Sequence, residues 1–79
     1  MLLRRIRLKM NSIVHDELGH EWTYKGTTFE HVRGRTSHLH ATFHHFKSIK
    51  GSEWKAARTE IIVDHFPDID LVMQSQGLL

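Results

Sequence analysis

Four of the eight histidines fall in one short stretch, Ser37 to Lys47, which reads SHLHATFHHFK. Imidazoles at this density can hold a metal, move a proton or add positive charge to a surface. Leu39, Ala41 and Phe43 alternate with His38, His40, Thr42 and His44. Period-two alternation marks a half-buried β-strand, with an apolar inner face and an outer row of imidazoles and a hydroxyl. His38 and His40 point the same way on such a strand and are sterically able to chelate zinc or copper. His44 lies four positions beyond His40, too far to share one ion without a bulge. No carboxylate is near in sequence, and no metal site is expected.

Two further arrangements fall short of chemistry. The run from His15 to His20, HDELGH, resembles a zinc-protease helix only superficially. That chemistry needs two histidines four apart on one helix face, and these are five apart with Gly19 between. His40-Ala41-Thr42 matches half of the paired His-x-Thr pattern of two-histidine phosphoesterases, where one histidine acts as base and the other as acid. The chain has no second His-x-Thr or His-x-Ser. No complete catalytic or cofactor motif is present, so the chain is expected to be no enzyme and to need no cofactor.

The basic residues form a more coherent set. Arg4, Arg5, Arg7 and Lys9 lie near the start, Arg33 and Arg35 flank Gly34, and Lys47 and Lys50 follow the histidines. Residues 1–50 carry nine Lys/Arg against four Asp/Glu, and residues 51–79 carry two against five. A basic front half suggests a polyanionic partner, because guanidinium forks match phosphate geometry and Lys/Arg supply sequence-independent affinity for nucleic acid. The expected contact set is Arg5, Arg7, Lys9, Arg33, Arg35, His38, His40, Lys47 and Lys50. The alternative, suggested by the acidic tail and small size, is a protein-interaction module, a small inhibitor or assembly factor whose contact is an exposed sheet edge or apolar patch, with a homodimer formed by pairing such edges.

The elements that must position these residues follow from periodicity and turn chemistry. A chain of 79 residues with 39% hydrophobic and 25% charged content is expected to form one small domain, 1–79. It has no cysteine and no long apolar run, which excludes disulfides, thiolate metal sites and a membrane helix. MLLRRIRLKM lacks the apolar core of a signal peptide, and a cytoplasmic location is expected. Ile6, Leu8 and Met10 alternate with Arg5, Arg7 and Lys9, which predicts a first strand. Trp22 and Tyr24 share a face of a second, Lys25-Gly26 reads as a tight turn, and Thr27 to Val32 as a third. Arg33-Gly34-Arg35 is the next turn, ahead of the histidine strand.

Ser52 and Glu53 read as the start of a helix with Trp54, Ala57, Ile61, Ile62 and His65 on its buried face. Pro67 ends it near His65 or Phe66. Ile69, Leu71 and Met73 alternate with Asp68, Asp70 and Val72, favouring a short last strand over a second helix starting at Pro67. Seven aromatics, Trp22, Tyr24, Phe29, Phe43, Phe46, Trp54 and Phe66, are read mainly as core. The expected fold is α+β, an antiparallel meander of three to four strands packed on one α-helix, with a possible short C-terminal strand. Element order alone is similar to that of the arm-binding domain of phage integrases and the back half of double-stranded-RNA-binding domains. No residue motif of either carries over.

Overall fold

The computed structural model describes residues 5–32 and 39–78. Four strands, β1 (Ile13–His15), β2 (Glu21–His31), β3 (His40–Ser48) and β4 (Glu53–Ala56), form one antiparallel sheet in the order β1-β2-β3-β4. Two short helices follow, α1 (Thr59–His65) and α2 (Ile69–Ser75). The fold is α+β, a meander with its helices at the end of the chain.

The core forms where the helices meet one sheet face. Val14, Tyr24, Phe46 and Ala56 point inward from the strands, and Ile62, Phe66, Ile69 and Met73 answer from the helical half. Phe66, just after α1, sits at the centre of this layer. Its ring lies 4.4 Å from that of Phe46, 5.4 Å from Trp54 and 6.0 Å from Trp22. Edge-on and tilted aromatic packing of this kind adds specificity to plain area burial.

Several local expectations are corrected. Residues 5–10 form no strand. Their alternation reports burial instead, with Ile6 in the core and Arg5, Arg7 and Lys9 exposed. Backbone N–H partners there come from α2 and the residue after it: Arg7 N–H points at Met73 Sδ (3.3 Å) and Lys9 N–H donates to Gln76 Oε1 (3.0 Å). Lys25-Gly26 is no turn. β2 runs through it, and the pairing slips between Tyr24↔Phe46 and Thr27↔His44, three steps on β2 against two on β3. Gly26 is the extra residue of a β-bulge, at φ 88°, a left-handed value that a residue without Cβ adopts freely.

The helix expected from Ser52 is half strand. Glu53–Ala56 pairs with β3, placing Trp54 opposite Phe46 and Lys55 opposite His45. Ser52 closes a turn rather than capping a helix, since Ser48 N–H donates to Ser52 C=O (2.8 Å) and Ser52 N–H donates to Ser48 Oγ (3.0 Å). Gly51, at φ 93°, makes that turn possible. Pro67 follows α1 and lies ahead of α2, so the segment expected as a last strand is a second helix. Ile69 and Met73, four apart, bury one α2 face completely.

The phase of the histidine strand is also corrected. Phe46 points into the core, so residues of its parity, His44 included, face the helix side, while Phe43, His45 and Lys47 face the other. The imidazole row expected in solvent therefore turns inward at its core end.

Candidate nucleic-acid interface

The helices cover one sheet face and leave the other open. The bulge at Gly26 decides what that open face carries. A one-residue slip flips every later side chain to the opposite face. Thr28, paired with Phe43, and Glu30, paired with Ala41, are thereby placed on the open side beside His45 and Lys55. Phe29 goes to the opposite side, where it is 73% exposed rather than core.

A shallow depression of about 360 Å³ lies on the open face next to the bulge, lined by Lys25, Thr28, His45, Lys47 and Glu53 with Phe46 at its base. Lys25 Nζ also donates to Asn11 Oδ1 (3.1 Å). Beside the depression runs a polar network. Lys55 Nζ bonds Glu30 Oε1 at 2.6 Å, and Glu30 Oε2 meets His45 Nε2 at 3.1 Å. Thr28 Oγ1 lies 2.6 Å from the same His45 nitrogen and also contacts Glu30 Oε2. Lys55 reaches over the Phe43 ring, 5.2 Å from its centroid. The Lys55 and Thr28 bonds hold the Glu30 carboxyl down to a pKa of about 2, with the Lys55 bond the larger cause.

Thr28, His45 and Glu30 have the composition of a nucleophile relay, but not its geometry. A relay uses one imidazole nitrogen for the hydroxyl and the other for the carboxylate. Here both partners converge on Nε2. The network fixes Thr28, His45 and Glu30 to one another on the open face.

On the helix side, His44 Nδ1 shares a hydrogen bond with the Tyr24 hydroxyl (2.9 Å). Burial, and then the neighbouring His45, lower its pKa. His40 stacks on Phe29, with centroids 5.3 Å apart and planes 15° from parallel, and packs edge-on to His31. His15 and His20 sit at the end of β1 and in the turn after it, bonded to Asp68 (2.9 Å) and near Asp16 (3.6 Å), so HDELGH forms no helix. Among the described residues no three His, Cys, Asp or Glu side chains are grouped to hold a metal.

Of the nine contact residues expected from sequence, Lys47 lies in the depression. Lys50 is exposed in the β3–β4 turn, and Arg5, Arg7 and Lys9 are exposed on the segment alongside α2. His40 is on the helix-side face of the far end of β3. Arg33, Arg35 and His38, like Arg4, lie outside the described residues. Lys25, Thr28, His45 and Lys55 were missed. The signal for Lys25 and Thr28 was the jump of aromatic parity from Trp22 and Tyr24 to Phe29 across Gly26, which is how an isolated glycine inside a strand marks a bulge.

No helix among the described residues is long and apolar enough to cross a membrane. No protein-family model matches this chain, no curated protein is similar to it at a meaningful level, and no solved structure matches it.

Proposed function

We propose that this chain is a small, non-enzymatic nucleic-acid-binding protein that docks the polymer backbone on the open face of its sheet. The observation that carries this reading is the depression beside the bulge, where Lys25 and Lys47 flank Thr28 and His45. Two ammonium groups, a hydroxyl and an imidazole around one hollow suit phosphate oxygens, which take charge-assisted and neutral hydrogen bonds together. Exposed Lys50 of the β3–β4 turn extends the positive surface, while the cations of residues 5–9, alongside α2, and Arg33 and Arg35 add to the overall charge excess.

The test is fluorescence anisotropy with labelled duplex DNA and single-stranded RNA, at low salt and again near physiological salt. Saturable binding that weakens steeply with salt is expected. Each phosphate contact on duplex DNA contributes about 0.9 to the slope of log affinity against log salt, so Lys25→Ala with Lys47→Ala should flatten it by about 1.8. Glu53→Gln removes a carboxylate from the hollow and should tighten binding. No binding at low salt, or a double variant indistinguishable from wild type, would overturn the assignment.

A second reading, a homodimer or protein-interaction module, is favoured by a different observation. β1 pairs only with Glu21–Thr23 of β2, and β4 only with His44–Lys47 of β3. The rest of β2 and β3 extends past both as a two-stranded ribbon whose outer edges meet no further strand among the described residues, with Phe29 and Leu39 exposed on it. Such edges pair readily with another chain. Light scattering with Phe29→Ser as the comparison distinguishes this reading: a dimer that the variant dissolves supports it.

A further inference from the structure

The helix side of the molecule carries a second concave surface of opposite character. A groove of about 470 Å³ runs between the β1–β2 turn, β4 and α1. Its walls are apolar: Trp54, Leu18 (82% exposed) and Ile61 (45% exposed). Its rim is acidic, formed by Asp16, Glu17 and Asp64. His65 lines it as well, stacked flat on Trp54 at 4.1 Å, and its Nε2 is buried with no hydrogen-bond partner among the described residues. An exposed leucine and isoleucine beside Trp54 make an apolar patch of the kind that marks an interaction surface.

The turn that builds the rim is held rigidly. Asp16 Oδ1 accepts from the backbone N–H groups of Leu18 (3.0 Å) and His20 (2.8 Å), while Oδ2 accepts from Trp22 Nε1 (3.0 Å). These bonds, that of Trp22 first, keep the Asp16 carboxyl below its ordinary range, so the rim stays negative. Leu18 and Glu17 are thus presented by a pre-formed loop, which lowers the ordering cost of docking.

We propose that this groove is the docking site for a basic segment of a partner protein, one that places an arginine or lysine beside an apolar side chain. The apolar residue would pack between Leu18, Ile61 and Trp54, and its cationic neighbour would meet Glu17 and Asp64. Charge complementarity selects this occupant over an acidic one and over nucleic acid, which three carboxylates repel. The groove lies on the face opposite the phosphate-binding hollow, so the site goes beyond the proposed function and does not depend on it.

The experiment uses the full chain and a short amidated peptide of alternating arginine and leucine, followed by calorimetry and by tryptophan fluorescence, which reports on Trp54 in the groove and on Trp22 bonded to its rim. Saturable binding is expected, weakened about 2- to 30-fold by Glu17→Gln with Asp64→Asn, the range for two exposed ion pairs. Ile61→Ser should also weaken it, while Lys25→Ala with Lys47→Ala should leave it unchanged; that last arm separates a failure here from a failure of the nucleic-acid reading. The proposal is overturned if the peptide does not bind, if a glutamate–leucine peptide binds equally well, or if the groove variants bind as wild type. It is also overturned if the chain self-associates and the double groove variant makes it monomeric, because the occupant is then a second copy.

Discussion

Gly26 is the residue on which the open face depends, and its backbone makes a prediction with a definite order. At φ 88° an L-residue brings its Cβ too close to the following carbonyl, at a cost of about 1–2 kcal/mol. A Cβ at this site would also meet Met10 Cε at 2.9 Å. Met10 is 61% exposed and that atom ends a flexible side chain, so it can swing away at little cost. Gly26→Ala should therefore destabilise by about 1–2 kcal/mol, or roughly 4–16 °C in Tm for a domain of this size. Asn tolerates the left-handed region better than Ala, and a β-branched residue tolerates it worst. The expected stability order is Gly, then Asn, then Ala, then Val.

An ordinary strand position would reverse the substituted part of that order, because β-branched residues favour strands and Asn disfavours them. The assay is thermal and urea unfolding of the three variants. Gly51→Ala provides a reference, since Gly51 shares the positive φ (93°) and has nothing within 4 Å of an added Cβ. The two alanine variants should agree within about 0.5 kcal/mol, a difference small enough for one mobile methionine to absorb. If Val at position 26 were the most stable substitution, the residue would be regular strand, the bulge would not exist, and Thr28 and Glu30 would not face the side that His45 occupies.

Phe66→Ala empties the centre of the core, at a cost of about 3–5 kcal/mol. Against a total of about 4–12 kcal/mol for a chain this short, urea unfolding should find a large drop in midpoint, with outright unfolding at the low end of that range, whereas a loss under about 1 kcal/mol would place Phe66 outside the core. The Glu30 network predicts a pH response. Glu30 is ionised in the fold down to about pH 2 but takes a proton near 4.5 when unfolded, so its contribution is complete above 4.5 and is lost as pH falls from 4.5 towards 2. Urea midpoints across that range should fall less steeply for Glu30→Gln than for wild type; parallel curves would refute the network.

The sheet was legible where sequence carried two signals at once. Around Trp22 and Tyr24 apolar alternation coincided with aromatic anchors on an expected strand, whereas the alternation of Leu39, Ala41 and Phe43 found the histidine strand but not its phase, which buried Phe46 sets. Reading failed where one pattern serves two structures. Trp54 and Ala57 fit a helical face, but Trp54 and Ala56 fit a strand equally well, and only the pairing of Trp54 with Phe46 across the Ser48–Ser52 turn decides for the strand. Ile69, Leu71 and Met73 alternate, yet Ile69 and Met73 are also four apart, and the core beneath α2 selects the helical period. Such choices are made by contacts distant in sequence, and local propensity does not record them.

The site was less legible than the fold for a related reason. Counting charge found Lys47 but could not rank it above Arg5 or Lys50, because charge is a property of composition and a site is a property of faces. What assigns faces here is one residue without a side chain. Gly26 shifts the phase of β2, so that Thr28 and Glu30 join His45 and Lys55 on one side and Phe29 leaves the core for solvent. The parity jump across Gly26 carries the phase of β2, and buried Phe46 carries that of β3; together they set Lys25, Thr28, His45 and Lys47 on one surface. The same argument separates the chain's two charges in space. Lys25 and Lys47 gather on the sheet face the helices leave bare, while Asp16, Glu17 and Asp64 gather where α1 meets the β1–β2 turn. A net charge of +2 therefore understates both surfaces. If the open face binds phosphate through local contacts, its affinity will follow Lys25 and Lys47 and not total charge. A variant that adds a lysine far from the hollow, such as Gln74→Lys on α2, should then raise binding far less than Glu53→Gln does, although each raises the net charge by one.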